Sequence, residues 1–231
     1  MLGRGVLHAD ETPVAMLKPA NLRDGKTHRA YLWSYCTTSY DALRAVVFDF
    51  ADSRGGQHAR AFLALEANNG NSGWRGKLVC DDFSGYKACF ELGVTEVGCL
   101  AHARRKFHEL WVNHKSQVGE QALKFFIQLY EIEREVRELE PDERKRRRQE
   151  DSREVARALH PWLTAQRQKV PEGSATAKAI DYSLKRWKAL TRFIDDGDLP
   201  ADNNWVENQI DRKSTRLNSS HERLSRMPSS A

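Results

Sequence analysis

Residues 77–100, KLVCDDFSGYKACFELGVTEVGCL, read as a brief buried strand over Lys77 to Cys80, a short helix around Tyr86 to Leu92 and a second strand from Val94 to Leu100. Working back from there, Ala59, Phe62, Leu63 and Leu65 space out a crossover helix, opened by Arg54-Gly55-Gly56 and stopped by the turn cluster Asn68-Asn69-Gly70-Asn71. Further upstream, Tyr31, Trp33 and Tyr35 alternate with smaller residues, and Val46, Phe48 and Phe50 do the same. A period of two puts one face of each strand against a core. With the short run Val6 to Asp10 ahead of Glu11-Thr12-Pro13, these predict three successive antiparallel strands. The order is three strands, helix, strand, helix, strand, which is an α/β pattern.

Working forward, composition and period change together near Leu100, implying two sub-structures. Ala122, Phe125, Leu129, Ile132, Val136 and Leu139 recur at spacings of three and four, predicting one helix that Pro141 ends. Val155, Leu159, Trp162 and Leu163 mark a second helix. Ala177, Ile180, Leu184, Trp187, Leu190 and Ile194 mark a third. The basic run Arg144 to Arg148 lies among Glu143, Glu150, Asp151 and Glu154, so it reads as a solvated helix face rather than a phosphate grip.

The chain of 231 residues is 40% hydrophobic and 30% charged, enough to bury a core and not disordered by composition. Its longest apolar runs, such as Ala45 to Phe48, fall far short of the roughly 18 residues of a membrane span. No signal peptide opens it, so a cytoplasmic location is expected, with no membrane partner. Cys36, Cys80, Cys89 and Cys99 form no C-x-x-C pair and read as buried reduced thiols. The net charge is +5. Arg212, Lys213, Arg216, Arg223 and Arg226 against Asp211 and Glu222 contribute three of those charges, and residues 211–231 resemble a translated sequencing adapter. Such a segment is set aside in reasoning about the fold, and charge alone then says little about a nucleic-acid partner.

Asp10 closes the first strand pattern and Asp81 the fourth, which puts both carboxylates at strand ends, where α/β sheets build sites. Glu207 lies one turn into a helix whose start Asp202 or Asn203 can cap. Three converging carboxylates form a hard, oxygen-lined pocket suited to two Mg²⁺ or Mn²⁺ ions, and two such ions can clamp the attacking and leaving oxygens of a phosphodiester. Singly, an Asp before Glu-Thr-Pro is also a turn former, and the pair Asp81-Asp82 also a surface loop. His102, Arg104, Arg105 and Lys106 open a helix and either contact a DNA backbone or form an ordinary basic surface. Arg54 beside its two glycines is a further DNA-binding candidate or a loop tip. Trp205 either stacks on a base or fills core.

HADETP (8–13), CDDFSGY (80–86), CLAHARRKF (99–107) and DNNWVENQI (202–210) together resemble the catalytic segments of bacterial transposases of the insertion sequence 66 family. The likeness runs through residues 5–210, taking in Asp52-Ser53-Arg54, Leu129 to Arg134 and Ala179 to Phe193. It implies a ribonuclease H-like mixed sheet with a helical insertion before the last catalytic helix. The core's first part would span 1–110, the insertion 111–198, the start of the catalytic helix 199–210 and a non-native tail 211–231. It also implies a metal-binding triad of Asp10, Asp81 and Glu207, with Asp82 an understudy where the family usually has Gly. The function implied is metal-dependent cleavage and strand transfer on transposon-end and target DNA by a homo-oligomer associated with the nucleoid. Family members carry a helix-turn-helix and a zinc module ahead of this region, and further residues after the glutamate. The expectation is therefore a fragment weak or inactive on its own. The competing expectations are a non-catalytic DNA-binding remnant and a host nuclease of the same fold.

Overall fold

Strand β1 (Val6–Leu17) is the axis of a five-stranded sheet in the computed structural model, which describes residues 1–17, 27–65 and 73–210. The turn cluster at 68–71 and the tail at 211–231 lie outside the described residues. On one side β1 pairs antiparallel with β2 (Thr27–Thr37), which pairs antiparallel with β3 (Val46–Ala51). On the other side β1 pairs parallel with β4 (Lys77–Val79), and β4 with β5 (Thr95–Val97), giving the order β3-β2-β1-β4-β5. Helix α1 (Gln57–Phe62) crosses from β3 to β4, and a short turn leads into α2 (Lys87–Glu91), which crosses from β4 to β5.

One expectation is corrected here. β1 does not end at Asp10 but continues through Glu11-Thr12-Pro13, with Asp10 opposite Ser34 of β2. The ladder to β4 covers only Val6 to His8, so beyond it β1 has an unpaired edge among the described residues. Proline, which has no N–H to donate, is tolerated on such an edge.

Apolar clusters cover both sheet faces. On one, Leu7, Ala9, Trp33, Tyr35 and Leu78 pack beneath α1 and α2, with Tyr35 stacked on Phe62 at 3.7 Å between ring centroids. On the other, Val79 and Val97 join α3 (Leu100–His114), α4 (Gln117–Val136), α6 (Arg153–Arg167) and α7 (Ala175–Lys185) in one continuous cluster. The helical half and the sheet therefore share a core. Ser116 caps α4 by accepting the Gly119 N–H at 3.2 Å. At Gly119 a Cβ would sit 2.8 Å from the Phe107 carbonyl oxygen, so the close approach of α4 to α3 requires glycine.

Two helix boundaries differ from the sequence pattern. α4 ends at Val136, and Pro141 is the first residue of α5 (Pro141–Arg147), where its missing N–H costs nothing. The third stripe is broken at Arg186 (φ −103°, ψ 12°) into α7 and α8 (Trp187–Thr191). A helix over residues 204–210, α9, closes the described chain. No helix among the described residues is long and apolar enough to cross a membrane.

The basic run is the larger correction. α5 passes through a π-helical turn (Arg148–Ser152) into α6, and Arg144 and Arg148, four apart, face inward with 4% and 0% exposure. Arg148 makes a two-pronged pair with Glu133 at 2.7 and 2.6 Å and donates to the carbonyls of Phe193, Asp196 and Leu199. Arg144 donates to the carbonyls of Val136, Arg137, Leu139 and Gly197 and lies 3.6 Å over the Tyr40 ring. Arg146 and Arg147 do form the solvated face, paired with Glu143, Glu150, Asp151 and Glu135. The buried pair fastens residues 193–199, the segment that leads into α9. All four cysteines are buried, as the sequence predicts.

Candidate functional site

The parallel ladder pairs His8 with Val79. Two residues further on each strand stand Asp10 and Asp81, at the carboxyl end of the β1–β4 seam. The Asp81 carboxylate accepts the Phe83 N–H at 2.9 Å, turning the chain away from the sheet. α9 brings Glu207 in from the opposite side of the sequence, and its charge is felt at Asp10. Burial first, then the charges of Glu11, Glu207 and Asp81, raise the Asp10 carboxyl from 3.8 to about 7. Asp10 is thus a carboxylate that would lose most of its penalty beside a cation.

The three acids share an electrostatic neighbourhood but not a finished coordination shell. Among the described residues, no three His, Cys, Asp or Glu side chains stand close enough to hold one ion together. Closer approach of ionised carboxylates with nothing between them costs free energy. The donor set is nevertheless all hard oxygen, which is the chemistry Mg²⁺ and Mn²⁺ take.

What brings α9 to the sheet is a residue that the sequence reading treated only as a cap. Asn203 is completely buried. Its Oδ1 accepts the Nδ1–H of His8 at 2.8 Å, its Nδ2 donates to the Ala9 carbonyl at 2.9 Å, and its backbone N–H points at Cys99 Sγ at 3.2 Å. The strand carrying Asp10, the helix carrying Glu207 and the start of α3 are joined through this one amide. Burial lowers the His8 imidazole from 6.5 to about 4 against the opposing effect of the hydrogen bond it donates to Asn203, so the ring is neutral near pH 7. The capping role falls to the neighbour: Asp202 accepts the Asn204 N–H at 3.1 Å and the Tyr130 hydroxyl at 2.9 Å. Asn203→Ala is expected to leave the His8 ring N–H and the Ala9 carbonyl unpaired in the core, costing about 2–4 kcal/mol. Urea denaturation checks this, and an unchanged midpoint would remove the clamp from the account.

The sequence matches the family described as "Transposase IS66 family" over residues 1–219. The chain belongs to the IS66 transposase family. Three uncharacterized proteins of Sinorhizobium fredii are similar to this IS66 chain. Protein y4qI is 35% identical over 224 residues, covering 91% of the chain and 40% of the relative. Protein y4hP is 31% identical, with 88% of the chain and 38% of the relative covered. Protein y4jD is also 31% identical, with 87% and 40% covered. The chain thus spans about two fifths of the length of these relatives. No solved structure matches it.

Around the acids, the IS66 chain uses its charges in ways the sequence only partly shows. Asp82 forms an ion pair with Arg186 at 3.2 Å. Arg54, in the loop between β3 and α1, is engaged through its side chain: its Nε and Nη2 both donate to Glu11, at 3.0 and 2.5 Å, and its guanidinium lies 4.1 Å over the Phe83 ring. Glu11 was missed in sequence. It shares the sheet face of Leu7 and Ala9, the period of two being the available signal, and its side chain is 1% exposed. The Tyr86 hydroxyl donates to its other oxygen at 2.7 Å. Burial raises the Glu11 carboxyl, and the hydrogen bonds from Tyr86 and Arg54 oppose that rise.

At the start of α3, Arg104 and Arg105 are exposed to solvent. His102 and Lys106 are half-buried: the imidazole Nδ1 lies 3.2 Å from Cys99 Sγ, and the Lys106 ammonium sits 4.5 Å over the Tyr182 ring. Trp205 is also half-buried and donates its indole N–H to the Thr37 carbonyl at 2.9 Å. It braces α9 against the end of β2.

Proposed function

We propose that this IS66 family chain carries the catalytic region of a DDE-type DNA transposase built on a ribonuclease H-like core. In this reading Asp10, Asp81 and Glu207 hold two Mg²⁺ or Mn²⁺ ions. The observation that supports it most is positional: Asp10 and Asp81 each follow the last β1–β4 rung by two residues, and the Asn203 clamp draws the Glu207 helix to the same end of the sheet. When bound, the ions would activate a water or a DNA 3′-hydroxyl and stabilise the leaving oxygen of the cleaved phosphodiester.

The protein's own contribution is to orient and to exclude. Asp81 is held by its hydrogen bond to the Phe83 N–H. Glu207 is carried by a helix braced through Asn203 and Trp205. Arg104 and Arg105, exposed on α3, are placed to take phosphates of the transposon-end or target duplex, since guanidinium forks match phosphate oxygens. Arg54 keeps Glu11 charge-balanced beside the site and in this reading touches DNA only with the edge left free by that pair. Strand transfer would join the 3′-hydroxyl of each transposon end to a target-DNA phosphate with release of the target's own 3′-oxygen, and holding two ends at once makes a homo-oligomer the expected form.

The test is divalent-dependent nicking of a transposon-end duplex by the protein in its natural length. Asp10→Asn should lower the rate at least about 100-fold, as loss of a positioning ligand does. Nicking at the wild-type rate in that variant would refute the metal role. A second reading, a DNA-binding module without catalysis, is favoured by the absence of a three-acid cluster among the described residues. It requires that Mn²⁺ neither bind to the wild-type protein nor stabilise it.

A further inference from the structure

A cleft of about 440 Å³ opens beside Asp81, between the chain leaving β4 and the face of α7. Its lining residues include the aromatic Phe83 and Tyr182 and the basic Lys87, Lys185 and Arg186. The charges sort themselves. Arg186 is 8% exposed and pairs with both Asp82 and Glu96, so its single charge offsets one of these two acids and the lysines must offset the other. Lys87 and Lys185 are exposed, and no ion pair forms on either among the described residues. The cleft therefore combines two aromatic rings, each with a cation over one face (Arg54 over Phe83, Lys106 over Tyr182) and the other face left for a ligand, two lysines in no ion pair among the described residues, and Asp81 of the proposed triad at its edge.

We infer that this cleft is a nucleotide subsite, receiving an unpaired base and its phosphate from the DNA strand next to the scissile bond. The inference rests on the catalytic reading for which strand it receives. The chemistry itself follows from the walls. A base presents two flat faces and stacks on aromatic rings regardless of sequence, while its phosphate seeks cations. The volume lies within the range of pockets that enclose a small organic ligand, and a paired base pair within a duplex could not present a free face to Tyr182. The side of the cleft opposite Asp81 belongs to α7, so the helical half of the chain supplies half of the subsite.

The test uses the chain itself in Ca²⁺, by fluorescence anisotropy, with a blunt duplex and with the same duplex extended by a short single strand carrying a fluorescent base analogue. The extension should tighten binding about tenfold, the amount one stacked base supplies. In the double variant Lys87→Glu/Lys185→Glu the ratio of extended to blunt affinity should fall to about one. Because the ratio is read within one protein, a general loss of DNA affinity does not imitate the result. Quenching of the base analogue on binding should be lost in Tyr182→Leu and kept in Tyr182→Phe. No gain from the extension, a gain that survives the charge reversal, or no DNA binding at all would overturn the subsite. The two ideas fail separately: binding of the extension without nicking by the full-length protein removes the catalysis alone, and nicking without preference for the extension removes the subsite alone.

Discussion

Arg148→Met should destabilise the protein by about 3–5 kcal/mol, the amount lost when one partner of a buried ion pair is removed. The side chain is completely buried and its guanidinium satisfies five acceptors at once: both oxygens of Glu133 and the carbonyls of Phe193, Asp196 and Leu199. Methionine fills much of the volume but offers no donor, so it strands a carboxylate that is 11% exposed and three carbonyls in the core. Adding Glu133→Gln removes the stranded charge and should recover part of the loss, which separates the ion pair from the carbonyl contacts. A midpoint in urea close to wild type for Arg148→Met would mean that the 193–199 segment is held by other means. The loss should also reach the site. That segment leads into Asn203, so Glu207 should become mobile before global unfolding, visible as faster amide exchange along α9 than along α3.

Asp10→Asn should stabilise the metal-free protein at high pH while abolishing whatever the acid does chemically. The Asp10 carboxyl stands at about 7 against an ordinary 3.8 because it is buried and faces Glu11, Glu207 and Asp81. Between about pH 4 and pH 7 the native protein holds a proton that the unfolded chain has released, so stability falls as pH rises through that window. Above it the full penalty is in place. Asparagine has no charge to bury, and the variant should gain on the order of 2 kcal/mol near pH 8 and nothing near pH 4. Thermal melts across that range read the difference directly. Magnesium at millimolar concentration should raise the wild-type midpoint near pH 8 and leave Asp10→Asn where it was, because only the wild type gains a partner for its charge. A flat difference between the two proteins from pH 4 to pH 8 would show that Asp10 is an ordinary exposed carboxylate.

These outcomes depend on features that were unequally visible in the chain's letters. The succession of strands and helices along the chain was readable because Tyr31, Trp33 and Tyr35 alternate, and because Lys77 to Val79 and Thr95 to Val97 flank a short helical segment. Helix α6 announced itself through Val155, Leu159 and Leu163. The length of β1 did not. Glu11-Thr12-Pro13 carries no strand signature, and only pairing with β2, a tertiary event, extends the strand past Asp10. Arg144 and Arg148 were hidden for a related reason. Five consecutive basic residues look solvated whatever their partners, and the acceptors that draw two of them inward are carbonyls about fifty residues away. Asn203 was legible as a helix-start residue but not as the tie to His8, since nothing local links positions 195 residues apart. The family resemblance named Asp10, Asp81 and Glu207; what it could not convey is how openly they stand.

The Asn203 amide closes a loop between residues 195 positions apart. A ribosome releases His8 well before Asn203, so while the residues between them are made the first two acids wait without the third. If the proposed triad holds, the order of translation acts as a safety catch: a nascent chain that has not yet reached Glu207 lacks the third acid, and the site stays open until the helix that bears it docks.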